Sequence, residues 1–332
     1  MNNFLSSDVE RKVFTILKVL ESSPEAQGST VIARNLKDHG IDLTERAVRY
    51  HLRLMDERGL TELVGRRNGR VITELGKAEI KRALVSDKVG FAFSRIESLA
   101  FRTSFDWEKR TGSVPVNVSF FPKESFRRAL EIMKPVFQSN LCVSKLVAVA
   151  NEGESIGTLT VPPGKAGLAT ICSIVVNGTL LKAGVPVDSR FGGILQVQKH
   201  APLRFTELIN YAGSSLDPSE IFIRANMTSV TGVTESGNGE ILANFREIPS
   251  ICLPVAEEVA GKLRNAGIGG IFSIGNTSEP VCEVPVDLNR IGVVLIGGLN
   301  PVAAAREAGI SSENHAMSIL VDYQDLVNVM EL

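Results

Sequence analysis

The chain contains little cysteine and little histidine, and neither residue type is clustered. The four cysteines are widely spaced and form no Cys-x-x-Cys pair, which argues against a disulfide framework or a thiolate metal site. Three of the cysteines lie in apolar segments, so we expect buried, reduced thiols. The four histidines form no His-Glu-x-x-His motif and no other clustered ligand set. We therefore expect no structural metal.

Long apolar runs and a secretory leader are also missing. The first residues, MNNFLSSDVERK, lack a positively charged start followed by an apolar run. The longest apolar runs, such as Leu168–Val176, are far too short to cross a bilayer. We expect a cytoplasmic protein that does not use a membrane as a partner.

No enzyme signature is present. The sequence lacks a Gly-x-Ser-x-Gly elbow, a phosphate-binding P-loop and a dinucleotide fingerprint, and the glycine-rich run AGIGGIFSIGN lacks the required spacing. These absences predict a protein that is not an enzyme and has no cofactor. Because catalytic groups can be scattered in sequence, an enzyme stays open as an alternative.

Composition bounds the class of protein and its division into domains. Hydrophobic residues make up 44% of the 332 residues, which is ordinary for a soluble globular protein, and this length predicts two or three domains. The formal net charge is −1, but residues 1–88 contain 16 lysines and arginines against 13 acidic residues. The modest basic excess therefore lies in the N-terminal part.

Residues 44–57 have the pattern of an amphipathic helix. Thr44 is a suitable N-cap, and Val48, Leu52 and Met55 recur at the spacing of one apolar helix face. Gly59 is suited to end the helix. The opposite face is polar and mostly basic. A helix of this kind, followed closely by a basic hairpin, is typical of a protein that reads the major groove of DNA.

A hairpin and three further helices complete the N-terminal pattern. Residues 60–64 and 70–73 predict two strands, and Asn68-Gly69 between them is a strong hairpin turn signal. Apolar spacing predicts helices from about residue 8, over residues 30–39 and over residues 74–84. The order helix, helix, helix, hairpin, helix indicates a winged helix-turn-helix domain over residues 1–86.

The candidate DNA contacts come from the third helix and the hairpin. They are Thr44, Glu45, Arg46, Arg49, Tyr50, Arg53, Arg66, Arg67, Asn68 and Arg70. The alternative is a small helical domain whose arginines form a solvated surface. The ordered set of five elements with an arginine-rich hairpin favours DNA binding.

Residues 113–332 show an internal duplication. In the parts near residues 113–200 and 238–325, a helix preceded by proline is followed by an apolar strand ending in asparagine, a Val-Pro pair, a buried strand, an Asn-led helix and a third strand. We expect two α+β halves related by a pseudo-twofold axis, with residues 87–112 as a linker. Residues 196–240 are expected to connect the halves.

Two segments of the duplicated part predict an anion site. Gly297, Gly298 and Asn300 precede an apolar helix, as Asn177 does in the first copy, and a helix N-terminus favours an anion. Lys182, Asp188, Ser189 and Arg190 are expected in a short loop, with Arg204 as a second cation. The alternatives are close packing at Gly-Gly and surface ion pairs between Asp188 and Arg190 or between Arg204 and Glu207.

Three segments give the chain a family resemblance. LLKAGVPVDSRFGGILQV, LRFTELINYAGSSLDPSEIFI and IGVVLIGGLNPVAAAREAGI, together with the predicted winged helix, resemble the NrpR family, which is known chiefly from methanogenic archaea. The resemblance implies a homo-oligomeric repressor of nitrogen assimilation and nitrogen fixation genes. It also implies binding to palindromic double-stranded DNA operators and release by the effector 2-oxoglutarate. A second NrpR-domain chain or the transcription machinery is a further implied partner.

Two other functions stay open. The chain could be a metabolic enzyme that acts on a small keto acid and uses its winged helix for protein interaction. It could also be a bridging co-regulator that works without a ligand. Turnover of a keto acid would distinguish the first alternative, and DNA binding without binding of 2-oxoglutarate would distinguish the second.

Overall fold

The structure is a computed structural model that describes residues 7–23, 25–37, 41–65, 69–82 and 89–332. Contacts between Cα atoms divide the chain into two compact units, residues 1–98 and 99–332. None of the helices in the described residues is long and apolar enough to cross a membrane.

The first unit contains the elements of a winged helix in the expected order. Its elements are α1 (Ser7–Glu21), α2 (Ser29–Lys37), α3 (Glu45–Glu57), β1 (Thr61–Gly65), β2 (Gly69–Ile72) and α4 (Glu74–Arg82). The antiparallel pair β1–β2 is the wing.

The apolar faces of α1, α2 and α3 form the core of this unit. The predicted stripe of Val48, Leu52 and Met55 on α3 is completely buried, and these side chains pack against apolar residues of α1 and α2. Thr44 is the N-cap of α3, as expected, because its hydroxyl accepts a hydrogen bond from the backbone N–H of Ala47 at 3.2 Å. Ile32 and Leu36 of α2 are buried, whereas the apolar residue Val31 beside them is exposed.

A helix lies in the segment that was expected to be a linker. This helix, α5, spans Phe91–Arg102, within residues 87–112. The boundary between the two compact units, after Ser98, falls inside α5.

The second unit repeats one series of elements twice. The first half is β3 (Ser113–Pro122), α6 (Lys123–Gln138), β4 (Leu146–Ala150), the short hairpin β5 (Ser155–Ile156) and β6 (Leu159–Thr160), β7 (Lys165–Ile171), α7 (Ile174–Lys182) and β8 (Asp188–Gln198). Between the halves lie β9 (Ala201–Asn210), α8 (Pro218–Arg224) and α9 (Val230–Ser236). The second half is β10 (Gly239–Pro249), α10 (Leu253–Asn265), β11 (Ile271–Thr277), β12 (Arg290–Ile296), α11 (Asn300–Glu307) and β13 (Glu313–Asp322), and the two-residue β14 (Val327–Asn328) follows.

The last strand of each half lies in the sheet of the other half. One sheet has the order β13-β3-β7-β4-β14 and the other β11-β12-β10-β8-β9. The first strand of each half therefore pairs with the last strand of the other half: β3 pairs with β13, and β10 pairs with β8. All strand pairs in the described ranges are antiparallel. The expected duplicated α+β fold with pseudo-twofold symmetry is confirmed.

Register shows that the two halves are equivalent residue by residue near the axis. Val116 on β3 pairs with Ile171 on β7, and Ala243 on β10 pairs with Ile296 on β12. Asn117 and Asn244, the next residues of β3 and β10, are therefore counterparts. Two buried apolar clusters fill the unit, and each combines side chains of both halves.

Two sequence-based boundaries are wrong, and the connector between the halves contains regular elements. Helix α7 begins at Ile174 and not at Asn177, so the residues before Asn177 that were expected in a buried strand are helical. Asp188, Ser189 and Arg190 belong to β8 and not to a loop. The expected connector over residues 196–240 contains a long strand and two helices, because its polar sequence still supplies buried residues such as Tyr211 and Phe222.

Candidate functional site

An exposed, mostly basic surface covers one side of α3. Arg46, Arg49, Tyr50 and Arg53 are exposed, and we call these four residues the reading face. They face away from the buried stripe because the helix places residues three, four and seven apart on one side. The side chains of Arg49 and Arg53 are 61% and 67% exposed, so both guanidinium groups are accessible to a large partner.

Weak local contacts orient the reading face. Glu45 lies 3.5 Å from Arg49 and also accepts a hydrogen bond from the Ser29 hydroxyl at 3.2 Å. The guanidinium of Arg53 lies 5.9 Å from the ring centre of Tyr50 and 3.8 Å from Glu57. Exposed pairs of this kind contribute little to stability, so the arginines can exchange them for phosphates or base edges.

The remaining predicted DNA contacts divide into two groups. Arg66, Arg67 and Asn68 lie outside the described residues. Arg70 points at α3, where its Nε donates to Oδ2 of Asp56 at 2.7 Å. The side chain of Arg70 is only 19% exposed, so the structure assigns its charge to an internal ion pair.

The predicted glycine turn before α11 is a site of close packing. A Cβ atom on Gly297 would lie 2.8 Å from the backbone oxygen of Leu242, and one on Gly298 would lie 2.5 Å from the oxygen of Ile171. Asn300 is fully buried, accepts from the N–H of Leu242 at 2.8 Å and donates to its carbonyl at 3.0 Å. It therefore joins α11 to β10, and it is the first helical residue rather than the N-cap.

Arg190 belongs to a cluster of five charged residues on β8, on β10, on β12 and in the segment just before β12. Its guanidinium lies 3.4 Å from Asp188, 3.2 Å from Asp287 and 3.8 Å from the buried Glu247, which also lies 3.0 Å from Arg290. Burial raises the pKa of Glu247. The cluster ties three neighbouring strands together, and its acidic partners already balance Arg190.

The other two predicted cations lie on the surface. The Nε of Arg204 donates to Oε1 of Gln196 at 3.0 Å, and the residue is exposed. Lys182, in the last turn of α7, is exposed as well. The structure therefore does not bring Lys182, Arg190 and Arg204 together as one site.

Asn177 and Ser189 do meet, and they lead to a buried arginine. The amide nitrogen of Asn177 donates to the hydroxyl of Ser189 at 3.0 Å. Its amide oxygen lies 3.4 Å from the Nε of Arg246, which donates to it. Arg246 is only 2% exposed. Among the described residues, no carboxylate oxygen lies within 4 Å of its guanidinium, the distance that defines an ion pair.

Arg246 lines a small polar cavity of about 20 Å³ at the junction of the two halves. We define the polar cavity by the polar or small residues around it. They are Asn117, Cys172, Ser173, Tyr211, Asp217, Ser219, Asn244, Arg246 and Gly298. The counterparts Asn117 and Asn244 both contribute, so the cavity lies beside the pseudo-twofold axis.

A hydrogen-bond network holds the walls of the polar cavity. The hydroxyl of Tyr211 donates to Oδ1 of Asn244, whose amide nitrogen donates to the hydroxyl of Ser173 at 3.1 Å. The guanidinium of Arg246 lies 4.9 Å from the ring centre of Tyr211. Ser173 is the N-cap of α7, and its side chain does not cap the helix. The N–H groups of Val175 and Val176 in the first turn donate to the carbonyls of Cys172 and Ser173 at 3.1 and 3.0 Å.

Burial shifts the pKa values of the groups around the cavity. It raises the pKa of Asp217, although hydrogen bonds from Ser219 and the charge of Arg246 act in the opposite direction. It raises the pKa of the Cys172 thiol to about 12, and it raises the pKa of Tyr211. Clusters of buried groups with shifted pKa values are typical of functional sites.

Arg246 and Tyr211 were not predicted from the sequence, but a signal for Arg246 was present. In the aligned first strands, Arg246 stands where the other half has Ser119, and a charged residue in one copy of a buried strand is unusual. Gly192 carries a related signal, because a Cβ atom there would lie 2.9 Å from the Tyr211 hydroxyl. The alignment of the two copies was the observation needed to find Arg246, whereas Tyr211 lies between the copies, after β9.

A second, larger cleft of about 760 Å³ lies near the ends of α6 and α10. Its cations include Arg110, Lys145 and Arg264. Arg110 donates to the carbonyl of Asn265, the last residue of α10, at 3.0 Å. Cations beside helix C-termini offset the partial negative charge there, which accounts for part of this positive charge without a ligand.

The cysteines and the possible metal ligands are the remaining candidates for a chemical site. All four cysteines are free; Cys142 and Cys172 are buried, but Cys252 and Cys282 are only partly buried, which differs from the expectation. Within the described ranges, no group of three or more histidine, cysteine, aspartate or glutamate side chains is placed to hold a metal ion.

Family models match both units. A model described as NrpR regulatory domains NRD1 and 2 matches residues 89–328. A model described as the Ribonuclease R winged-helix domain matches residues 14–80, in agreement with the fold of the first unit.

Curated relatives and a solved structure are similar to the chain. Global nitrogen regulator NrpRI of Methanosarcina mazei is 39% identical over 325 residues, which cover 98% of this chain and 100% of that protein. Global nitrogen regulator NrpR of Methanococcus maripaludis is 31% identical over 94% of this chain, which spans only 54% of that longer protein. A crystal structure of a nitrogen repressor-like protein from Methanococcus jannaschii superposes with a TM-score of 0.61 at 28% identity, covering 72% of this chain and 98% of that one.

Two of the three segments that carry the resemblance line the polar cavity, and the other lies behind it. The second segment supplies Tyr211 and Asp217, and the third supplies Gly298. The first supplies Ser189, which contacts Asn177 behind Arg246. With the match over residues 89–328 and a relative aligned along nearly the whole chain, these observations show that the chain belongs to the NrpR family of nitrogen regulators.

Proposed function

We propose that the chain is a DNA-binding transcriptional repressor of nitrogen assimilation and nitrogen fixation genes, which 2-oxoglutarate releases from its operators. The observation that carries the proposal is the exposed, mostly basic reading face on a capped helix of a winged-helix unit. Membership of a family of named nitrogen regulators supplies the regulatory context.

DNA recognition is assigned to α3. Arg46, Arg49 and Arg53 are long cations on one helix face, and arginine can contact both guanine edges and phosphates. A homodimer would place two such helices in successive major grooves of a palindromic operator, about 34 Å apart or a multiple of that distance. The charge balance of the N-terminal part is only modestly positive, so two reading faces bound together would raise the affinity.

We assign the effector to the polar cavity. The charge of Arg246 is buried without an ion-pair partner among the described residues, and a carboxylate of 2-oxoglutarate would supply that partner. The N-terminus of α7 forms part of the cavity wall at Ser173, and the positive end of its helix dipole favours negative charge at the same place. The amides of Asn117 and Asn244 offer donors for the remaining oxygens.

This assignment changes the roles of the residues selected from the sequence. Asn177 and Ser189 would position Arg246, because they form the hydrogen-bond chain behind it. Gly298 would keep the cavity wall thin, and Asn300 would hold α11 against β10. Lys182, Asp188, Arg190, Gly297 and Arg204 would lie outside direct contact with the effector.

The size of the cavity suggests how the effector controls DNA binding. A volume of about 20 Å³ holds little more than one water molecule. The effector would therefore bind only when the walls contributed by the two halves move apart. A ligand that binds one conformation better shifts the population toward it, and the shifted form would place the two reading faces at the wrong spacing.

The DNA-binding part is tested with a site selected from random DNA. We expect the chain to recover a palindromic site, and we expect Arg49→Ala to weaken binding to it by about 1–3 kcal/mol, the usual loss for one good base contact. Fluorescence anisotropy measures the affinity, and Lys77→Ala, which removes a cation from α4, is the control. Equal affinity of Arg49→Ala and the wild-type chain would contradict the assignment of α3.

A further inference from the structure

We propose that Asp56 is a positioning residue for DNA binding, which fixes the wing against the recognition helix α3. The proposal rests on the DNA-binding function proposed above. It concerns a carboxylate, a group that DNA-binding surfaces usually avoid, at the end of the reading face.

Both oxygens of the Asp56 carboxylate are bound to the wing, one to each strand. Oδ1 accepts a hydrogen bond from the hydroxyl of Thr61 at the start of β1, at 2.6 Å. Oδ2 accepts from the Nε of Arg70 on β2, at 2.7 Å. The pair is partly buried, with side-chain exposures of 27% for Asp56 and 19% for Arg70. Partial burial and short charge-assisted bonds make this contact stronger than the exposed pairs on the reading face.

Strand β2 is also bound on its other side, by the segment between α1 and α2. The backbone N–H and carbonyl of Arg70 pair with the backbone of Gln27, between α1 and α2, at 3.0 and 2.9 Å. A Cβ atom at Gly69 would lie 2.3 Å from the backbone of Gln27, so only glycine permits this approach. The backbone of β2 is therefore fixed to the helical body, and its Arg70 side chain is fixed to α3.

The position of Asp56 explains why its partner must be a cation. Asp56 follows Arg49 by seven residues and Arg53 by three, so it continues the line of the reading face toward the wing. An unpaired carboxylate there would repel the phosphates of DNA. Pairing with Arg70 removes this repulsion, and it also withdraws Arg70 from the DNA.

This arrangement makes a prediction of unusual sign. Asp56→Asn removes a negative charge from the DNA-binding surface, which by electrostatics alone would tighten binding. If Asp56 positions the wing, the same substitution weakens binding, because the wing no longer lies where it meets the DNA backbone. The loss of one backbone contact would reduce affinity about fivefold at 0.15 M salt and lower the slope of log affinity against log salt by about 0.9.

The experiment measures Asp56→Asn, Arg70→Ala and the double variant in the full-length chain. Anisotropy on the selected site gives affinity and salt slope, hydroxyl-radical footprinting shows which flank loses protection, and thermal unfolding confirms that the winged helix is folded. Glu79→Gln is the matched control, since it breaks the ion pair of Arg58 and Glu79 in the same unit, away from the wing. If Asp56→Asn unfolds, Thr61→Val tests the proposal instead, because it removes only one of the two hydrogen bonds to the Asp56 carboxylate.

We expect each single variant to lose affinity, salt slope and protection at the flank, and the double variant to lose no more than either one. Thr61→Val should show a smaller loss in the same direction, and Glu79→Gln should behave as the wild-type chain. Tighter or unchanged binding by Asp56→Asn, or a further loss in the double variant, would overturn the proposal and return Arg70 to the DNA contacts. If the wild-type chain itself binds no DNA, the proposed function fails instead.

Discussion

Removal of a guanidinium group from water carries a large energetic cost unless its charge is balanced. Arg246 meets this cost with a hydrogen bond to Asn177, another to the carbonyl of Phe245 and contact with the Tyr211 ring. These neutral partners accept from only two of its five N–H groups, and the Asp217 carboxylate of the same cavity interacts with its charge from beyond ion-pair distance. An anion in the polar cavity would complete the set, so Arg246 is the best candidate effector contact.

The first residue-scale prediction compares Arg246 with the cation chosen from the sequence. We expect Arg246→Gln to weaken 2-oxoglutarate binding by about 1.5–3 kcal/mol, the usual value of a hydrogen bond to a charged group. Arg204→Gln, on the surface, should leave the affinity unchanged. Titration calorimetry measures both variants, and thermal unfolding checks that each is folded. Loss of binding by Arg204→Gln alone would place the effector outside the cavity.

The second residue-scale prediction concerns Asn300. Asn300→Ala leaves the backbone N–H of Leu242 without this partner in a fully buried place, whereas the carbonyl of Leu242 keeps the hydrogen bond from the N–H of Gly297 at 2.8 Å. We expect the free energy of unfolding of the second unit to fall by about 1–3 kcal/mol, the usual cost of a buried donor without a partner. Urea unfolding measures the change, with the exposed Asn265→Ala as control. A loss equal to that of the control would show that the contacts contribute nothing.

At the scale of elements, prediction succeeded where local signals agree with tertiary structure. Helix α3 has an N-cap, a regular apolar stripe and a glycine after its end, and it was located within one residue. The start of helix α7 was predicted too late because its first turn, Ile174–Val176, consists of apolar β-branched residues, a pattern typical of a strand. Its start is set by packing, since Gly178 must approach Thr103 and Ala100 closely, and no local signal reports such a contact.

At the scale of the whole second unit, the exchanged strands are the main feature that sequence could not supply. The repeat in the sequence reveals two similar halves, but strand β8 has the same pattern whether it pairs within its own half or with β10. The same limit applies to the polar cavity, whose walls come from residues between 117 and 298. Long-range pairings of this kind leave no trace in periodicity.

The exchange predicts that neither half of this unit folds alone. A chain ending at residue 212 retains β3 and β8 but loses β13 and β10, their partners. We expect it to lack a cooperative unfolding transition for the regulatory part, whereas residues 99–332 of the full chain unfold in one transition. Urea unfolding followed by circular dichroism tests this. A stable, cooperatively folding half would contradict the exchanged topology.

The central claim is that DNA binding by α3 and effector binding by the polar cavity are coupled. The most direct measurement is fluorescence anisotropy of the full-length chain on its selected palindromic site, with millimolar 2-oxoglutarate or with succinate at equal ionic strength. We predict tight, specific binding that 2-oxoglutarate weakens and succinate does not. Specific binding that ignores 2-oxoglutarate, or weakens equally with both acids, would contradict the claim.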